Sequence, residues 1–175
     1  PKKPLDTNII SNDGKLLYCP CQAKPWKRRL ATLYAEFRTE DSREPPSDII
    51  PFDNERIIRF LVGNGSRSLE DAGFAAYGMA TLVLANHGTG ARYVGHVEDV
   101  FVSRDFRRQG IGESLMRALI AEAKRRDVIS LWLTSNPRRI PAHRLYEKLG
   151  FARLAKPDED RDHATNFYML SLRPI

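Results

Sequence analysis

The chain has 175 residues, 42% of them hydrophobic and 29% charged, the size and make-up of one soluble globular domain with a single sizeable core. No apolar run approaches the roughly 18 residues needed to cross a bilayer, and Pro1-Lys2-Lys3-Pro4-Leu5-Asp6 carries no apolar signal core, so the expectation is a cytoplasmic protein without membrane partners. The net charge of +6 would suit phosphate, yet no helix-turn-helix, zinc-finger or aromatic RNA-binding motif is visible, and the charge is read as favouring an anionic cofactor and solubility rather than nucleic acid.

Residues 1–13 read as a loose leader, and Lys15 to Cys19 as a first strand. Cys19 and Cys21 form a C-x-C pair without a second pair, and none of His87, His96, His143 or His163 stands at ligand spacing to them. Two thiols are too few for structural zinc, so the expectation is buried free thiols and no metal. Trp26, Leu30, Leu33, Tyr34 and Phe37 recur at helical spacing behind Pro25, which predicts a helix to Phe37 with its aromatics in the core. Thr39 to Phe52 reads as a polar, proline-containing loop whose acids Glu40, Asp41, Glu44 and Asp48 are either solvated or placed to meet a cationic substrate. A second helix is predicted from Glu55 to about Val62, capped by Asp53 or Asn54 and ended by Gly63-Asn64-Gly65-Ser66.

Phe74 to Leu84 and Arg92 to Val102 read as a hairpin around Asn86-His87-Gly88-Thr89-Gly90, with His87 on the surface. Regular alternation would put Val94, His96, Glu98, Val100 and Val102 on one face of the second strand and Val97, Asp99 and Phe101 on the other; a bulge would exchange the two. A helix from about Glu113 to Arg126 turns Leu115, Met116, Leu119, Ile120 and Ala123 toward a sheet, and Val128 to Thr134 follows as a buried strand, giving a parallel crossover. A short helix, Ala142 to Leu149, closes at Gly150, with His143 on its exposed side. Phe151–Ala155 and Asn166–Leu172 read as an antiparallel pair joined by the polar loop Lys156–Ala164.

Between the hairpin and the long helix stands Arg107-Arg108-Gln109-Gly110-Ile111-Gly112. Glycines at Gly110 and Gly112 allow a tight turn, and the helix that follows presents amides with no internal partners and its positive dipole end. Such a turn holds an anion, best of all a pyrophosphate. The NTPase phosphate loop would need a lysine where Glu113 stands, and the dinucleotide fingerprint would need a glycine at Leu115, so neither fits.

The strand and loop Val97–Gly112, the strand Leu131-Trp132-Leu133-Thr134-Ser135-Asn136 and the segment Ala142-His143-Arg144-Leu145-Tyr146-Glu147-Lys148-Leu149-Gly150-Phe151 together resemble the GCN5-related N-acetyltransferases, over roughly residues 94–155. The resemblance implies an α/β fold of the α+β kind: a mixed, mostly antiparallel central sheet flanked by helices and splayed between its two parallel central strands. It implies acetyl-CoA as co-substrate and an amine acceptor, a small molecule or a protein or peptide, attacked directly in a ternary complex; a homodimer is common in the family. It implies that the strand Val100-Phe101-Val102 pairs with the pantetheine arm through the backbone of Val100 and Val102. The turn Arg107, Arg108, Gln109, Gly110, Ile111, Gly112, with Glu113 and Ser114, would hold the pyrophosphate, and Asn136 would contact pantetheine or the segment carrying Tyr146. Tyr146 stands where the family places a hydroxyl beside the thioester sulfur, and a neutral phenol can protonate the departing thiolate. Glu98 and Asp99 lie in the strand where such enzymes carry the base that takes the amine's proton, Glu98 being favoured. A catalytically silent acyl-CoA-binding module is the alternative.

Overall fold

The computed structural model describes residues 16–19, 25–40, 56–64, 75–88, 92–154 and 165–173. The expectations for residues 1–13, for Cys21, for Asp41, Glu44 and Asp48, for His163 and for the 156–164 connection lie outside them. The elements are β1 (Leu16–Cys19), α1 (Pro25–Glu40), β2 (Ile57–Asn64), β3 (Ala75–Asn86), β4 (Tyr93–Val102), a 3-10 turn (Arg104–Phe106), α2 (Ile111–Arg125), β5 (Val128–Ser135), α3 (Ile140–Lys148), β6 (Ala152–Arg153) and β7 (Asn166–Ser171). All seven strands join one sheet in the order β1-β2-β3-β4-β5-β7-β6. Every pairing is antiparallel except β4 with β5, the expected crossover around α2.

The predicted helix from Glu55 to Val62 is instead strand β2. Ile58, Phe60 and Val62 enter the core cluster on one face, while Arg59 and Leu61 are buried on the other. A strand covered on both sides is apolar throughout, and a short run of that kind has no periodicity to separate it from a buried helix. The β-branched and aromatic residues of this run favour the strand. α1 runs three residues beyond Phe37, so Glu40 belongs to its last turn rather than to a loop.

The sheet is filled from both sides. Leu115, Met116 and Leu119 of α2 are fully buried against Phe60, Leu82, Leu131 and Tyr168. Leu33 of α1 is buried with Leu61, Met79 and Phe101, which alternate with the first set along their strands and therefore line the opposite face. Burial of each such side chain contributes about 2 kcal/mol.

Two irregularities in β4 shape the rest. Its register with β3 runs from Thr81↔Glu98 to Met79↔Phe101, so three residues of β4 oppose two of β3. Asp99 takes a left-handed backbone (φ 53°) in this bulge, a conformation that aspartate tolerates better than most residues. The faces exchange across it: Val97 precedes it in the α2-side core, and Val100 and Val102, not Phe101, continue that core after it. The second irregularity is a loss of partner. Parallel pairing of β4 with β5 ends at His96↔Trp132, while β5 continues on β7 to Ser135↔Asn166.

Gly95 sits at the last tightly paired stretch before that opening. A Cβ there would lie 2.5 Å from Leu131 Cδ2 and 2.7 Å from Leu82 Cδ1. Gly95→Ala is expected to destabilise the protein by about 1–3 kcal/mol through overpacking, measured as a lower urea midpoint at unchanged m-value.

Candidate active site

Past His96 and Trp132 the pairing of β4 with β5 stops, so that β4 from Val97 to Val102 stays bonded to β3 but has no described strand partner on its β5 side. The glycine turn lies at the end of β4. Gly110 is the N-cap of α2, at φ 76°, ψ 0°, and forms no side-chain cap. Ser114 N–H closes the first backbone bond of the helix, on Gly110 O at 3.0 Å. The amides of residues 108–113 donate to no described backbone carbonyl, and the exposed Arg108, itself left-handed at φ 60°, stands among them. A row of free amides at a helix start beside an arginine fits a pyrophosphate.

Arg107 does something else. Its Nη2 donates to both carboxylate oxygens of Glu40 at 2.7 Å, its Nε donates to Val102 O at 2.8 Å, and its guanidinium lies 5.6 Å from the Phe101 ring centre. Glu40, considered from sequence for a cationic substrate, is thus engaged inside the fold. One turn earlier on α1, Glu36 accepts from Ser103 Oγ at 2.6 Å and from Arg104 N at 3.1 Å. Phe37 lies against Phe101 at 5.4 Å between ring centres, and Arg139 covers Phe37 at 5.2 Å. One side of α1 therefore straps the end of β4 and the turn before the glycines. Glu113 turns its carboxylate to Lys148 of α3 at 2.6 Å and to Arg117 at 2.8 Å, which hold its pKa below the usual carboxylate value and leave its N–H free for an anion.

Tyr146 is buried on α3, packed against Tyr168 and Phe151. Burial pushes its hydroxyl up to about 12, against a smaller opposing pull from Arg139, so it remains a neutral donor at physiological pH. His143, expected on the exposed side of this helix, is buried one turn before Tyr146: the two share the sheet-facing side because they are three residues apart. Its Nε2 lies 3.0 Å from Asn136 O, while Asn136 Oδ1 accepts from Arg138 N at 2.9 Å. Asn136 thereby shapes the turn that leads from β5 into α3.

On the α1 side of β4 stand Glu98 and Asp99. Glu98 is exposed enough for a ligand to reach it; partial burial raises its pKa, the Asp99 charge raises it further, and His96 opposes both. Asp99 Oδ2 accepts from Tyr34 Oη at 2.5 Å and from Thr81 Oγ1 at 3.4 Å. The Tyr34 hydroxyl is raised above its ordinary value by burial and then by Asp99, with the Arg59 guanidinium pulling the other way. Tyr34, Thr81, Arg59 and Glu36 were not candidates in the sequence. Only for Glu36 was there a local signal, two acids four residues apart on one helix side with arginines available downstream. Among the described residues, no three His, Cys, Asp or Glu side chains gather as metal ligands, and no helix is long and apolar enough to cross a membrane.

Residues 16–151 match the acetyltransferase (GNAT) family, and the chain belongs to that family. An Escherichia coli K12 protein named [ribosomal protein bS18]-alanine N-acetyltransferase is 42% identical over 53 residues, 30% of this chain and 36% of that protein. Glucosamine 6-phosphate N-acetyltransferase of Trypanosoma brucei brucei is 36% identical over 75 residues, 42% of this chain and 49% of its own length. The chain thus spans half or less of these curated relatives. A Salmonella typhimurium protein described as an acetyltransferase and solved with its cofactor acetyl-CoA superposes with a TM-score of 0.66 at 18% identity, covering 91% of this chain and 94% of that one.

The strap and the raised Glu98 each have a measurable consequence. Glu36→Ala is expected to speed amide exchange at residues 103–107 and to raise the coenzyme A dissociation constant several-fold. Glu98→Gln is expected to raise the melting temperature at pH 7. Because its folded pKa is raised, ionised Glu98 costs stability as pH climbs through that pKa; the gain from glutamine therefore vanishes below the unfolded value near 4.5, where Glu98 is already neutral.

Proposed function

We propose that the protein is an acetyl-CoA-dependent N-acetyltransferase that moves an acetyl group to a primary amine by direct attack in a ternary complex. The observation that carries this reading is the opening between β4 and β5 beside an uncapped α2. An extended chain fits the first and its phosphates fit the second. In this reading the backbone of Val100 and Val102 pairs with the pantetheine arm as an added strand. The amides from Arg108 to Glu113 take the pyrophosphate, with Ser114 and the Arg108 side chain beside it; Arg107, whose own amide is bonded to Arg104 O, acts by fixing the turn to α1. Bound acetyl-CoA supplies an activated acyl carbonyl.

The acceptor amine is mostly protonated near pH 7 and attacks only when neutral. Glu98 takes its proton: the raised pKa brings this carboxylate nearer the operating pH, and the residue is exposed. An N–H of β4, that of Val100 in this reading, polarises the carbonyl oxygen. As the C–S bond breaks, Tyr146 Oη gives its proton to the sulfur, so the thiol leaves uncharged. The acceptor class rests on the relatives, one named for an alanine of a ribosomal protein and one for an amino sugar phosphate; both present a primary amine.

Two measurements test the reading. Acetyl-CoA and coenzyme A, each at about 100 times its dissociation constant, are expected to add about 2.7 kcal/mol of stability, seen as a rise in melting temperature that ATP does not reproduce; no rise would remove the cofactor assignment. Tyr146→Phe is expected to lower kcat by about 100-fold or more at unchanged coenzyme A affinity. Unchanged turnover would remove Tyr146 as the acid.

A further inference from the structure

Beneath α1 lies a set of polar groups that the reaction described above does not use. Asp99, in its left-handed bulge, is held by Tyr34 Oη at 2.5 Å and by Thr81 Oγ1 at 3.4 Å. Arg59 is 7% exposed, acts on the Tyr34 hydroxyl, and its Nε and Nη1 have no hydrogen-bond partner among the described residues. The register Arg59↔Thr81↔Glu98 sets these residues in one row across β2, β3 and β4, with about 4.8 Å between strands. A guanidinium, a carboxylate and a phenol under a helix are expensive to bury, and apolar residues of similar volume would hold α1 at least as well. The cluster therefore has a use other than stability, and it ends on the residue next to Glu98.

We propose that Asp99 is a fixed charge rather than the proton acceptor, and that Tyr34, Thr81 and Arg59 are positioning residues that hold it in the bulge, leaving Glu98 alone to take the amine's proton. This deepens the acetyltransferase reading and rests on it. Asp99 Oδ2 is engaged from α1 and β3, whereas Glu98 is exposed on the same strand. Two adjacent carboxylates do not readily ionise together, so a charge kept on Asp99 favours the proton on Glu98. The other ionisable groups facing the pair are His96 from β4, which opposes the effect, Tyr34 from α1 and Arg59 from β2; Thr81 of β3, and Trp132, which pairs with His96 from β5, carry no charge.

The test is the titration of the Glu98 side-chain carboxyl, followed by carbon-13 NMR in the full chain and assigned with Glu98→Gln. It is accompanied by the pH profile of kcat/KM with an alanine-initiated peptide and with glucosamine 6-phosphate as acceptors. Asp99→Asn keeps the bulge, because asparagine also tolerates the left-handed region. It is expected to move both the Glu98 midpoint and the acid limb of kcat/KM to lower pH by about half a unit or more, with turnover at the plateau reduced by no more than about tenfold. Tyr34→Phe is expected to shift them in the same direction by less, with the KM for acetyl-CoA unchanged. A role for Tyr34 in packing alone would lower the melting temperature and leave the Glu98 midpoint in place, which overturns the proposal. So does an Asp99→Asn protein that is inactive at every pH with an unmoved Glu98 midpoint, since Asp99 would then be the base. Full turnover in Glu98→Gln would instead remove the underlying assignment of the base, a separate failure read from a separate variant.

Discussion

The hydrogen bonds that β4 and β5 do not make determine what the rest of the molecule is arranged to do. A parallel pair at the centre of a sheet normally stays paired along its length, because a buried, unsatisfied amide or carbonyl costs free energy comparable to a lost hydrogen bond. Here pairing stops at His96 and Trp132, and β5 keeps its antiparallel bonds to β7. β4 likewise keeps its bonds to β3, so beyond this point the facing edges of both strands lack their parallel partner, and the β4 edge runs on toward the turn that starts α2. Gly95, with Leu131 and Leu82 packed into the space its missing side chain leaves, keeps the strands close just before they part. The opening is thus built in by core packing on one side and by the bulge at Asp99 on the other.

α1 completes this arrangement from the opposite face of the sheet. Its Tyr34 reaches the bulge, Phe37 meets Phe101, and Glu36 and Glu40 hold the turn that follows β4. Arg107 looks from its neighbours like a phosphate ligand, yet it is neutralised by a bidentate carboxylate. The positive potential of the turn is left to Arg108 and to backbone amides, which need no side-chain ordering when an anion arrives.

The sequence revealed α2, its glycine turn, the β4–β5 crossover and the Tyr146 segment because their signals are local: apolar residues at helical spacing, glycines at a strand-to-helix turn, a glycine closing a short helix. It concealed β2, since a strand buried on both faces has neither period. It also concealed the faces of β4, because one extra residue exchanges them and Asp99 has no side-chain signature for a bulge. His143 was misplaced for want of a partner that only the fold supplies, the Asn136 carbonyl. Tyr34 and Arg59 stood in apolar runs, where an aromatic reads as packing and a lone arginine as noise. Their meaning depends on Thr81 and Asp99, which lie far away along the chain.

α1 also sets limits on how such a protein can change. Its strapped side is committed residue by residue to two distant tasks, Tyr34 at the bulge and Glu36 and Glu40 at the turn. Thr32, Ala35 and Thr39 are exposed on its other side. Sequence drift is therefore partitioned along a single helix: the outer positions touch neither β4 nor the glycine turn in any bond described above, whereas a change on the inner side alters the end of β4 and the turn after it together.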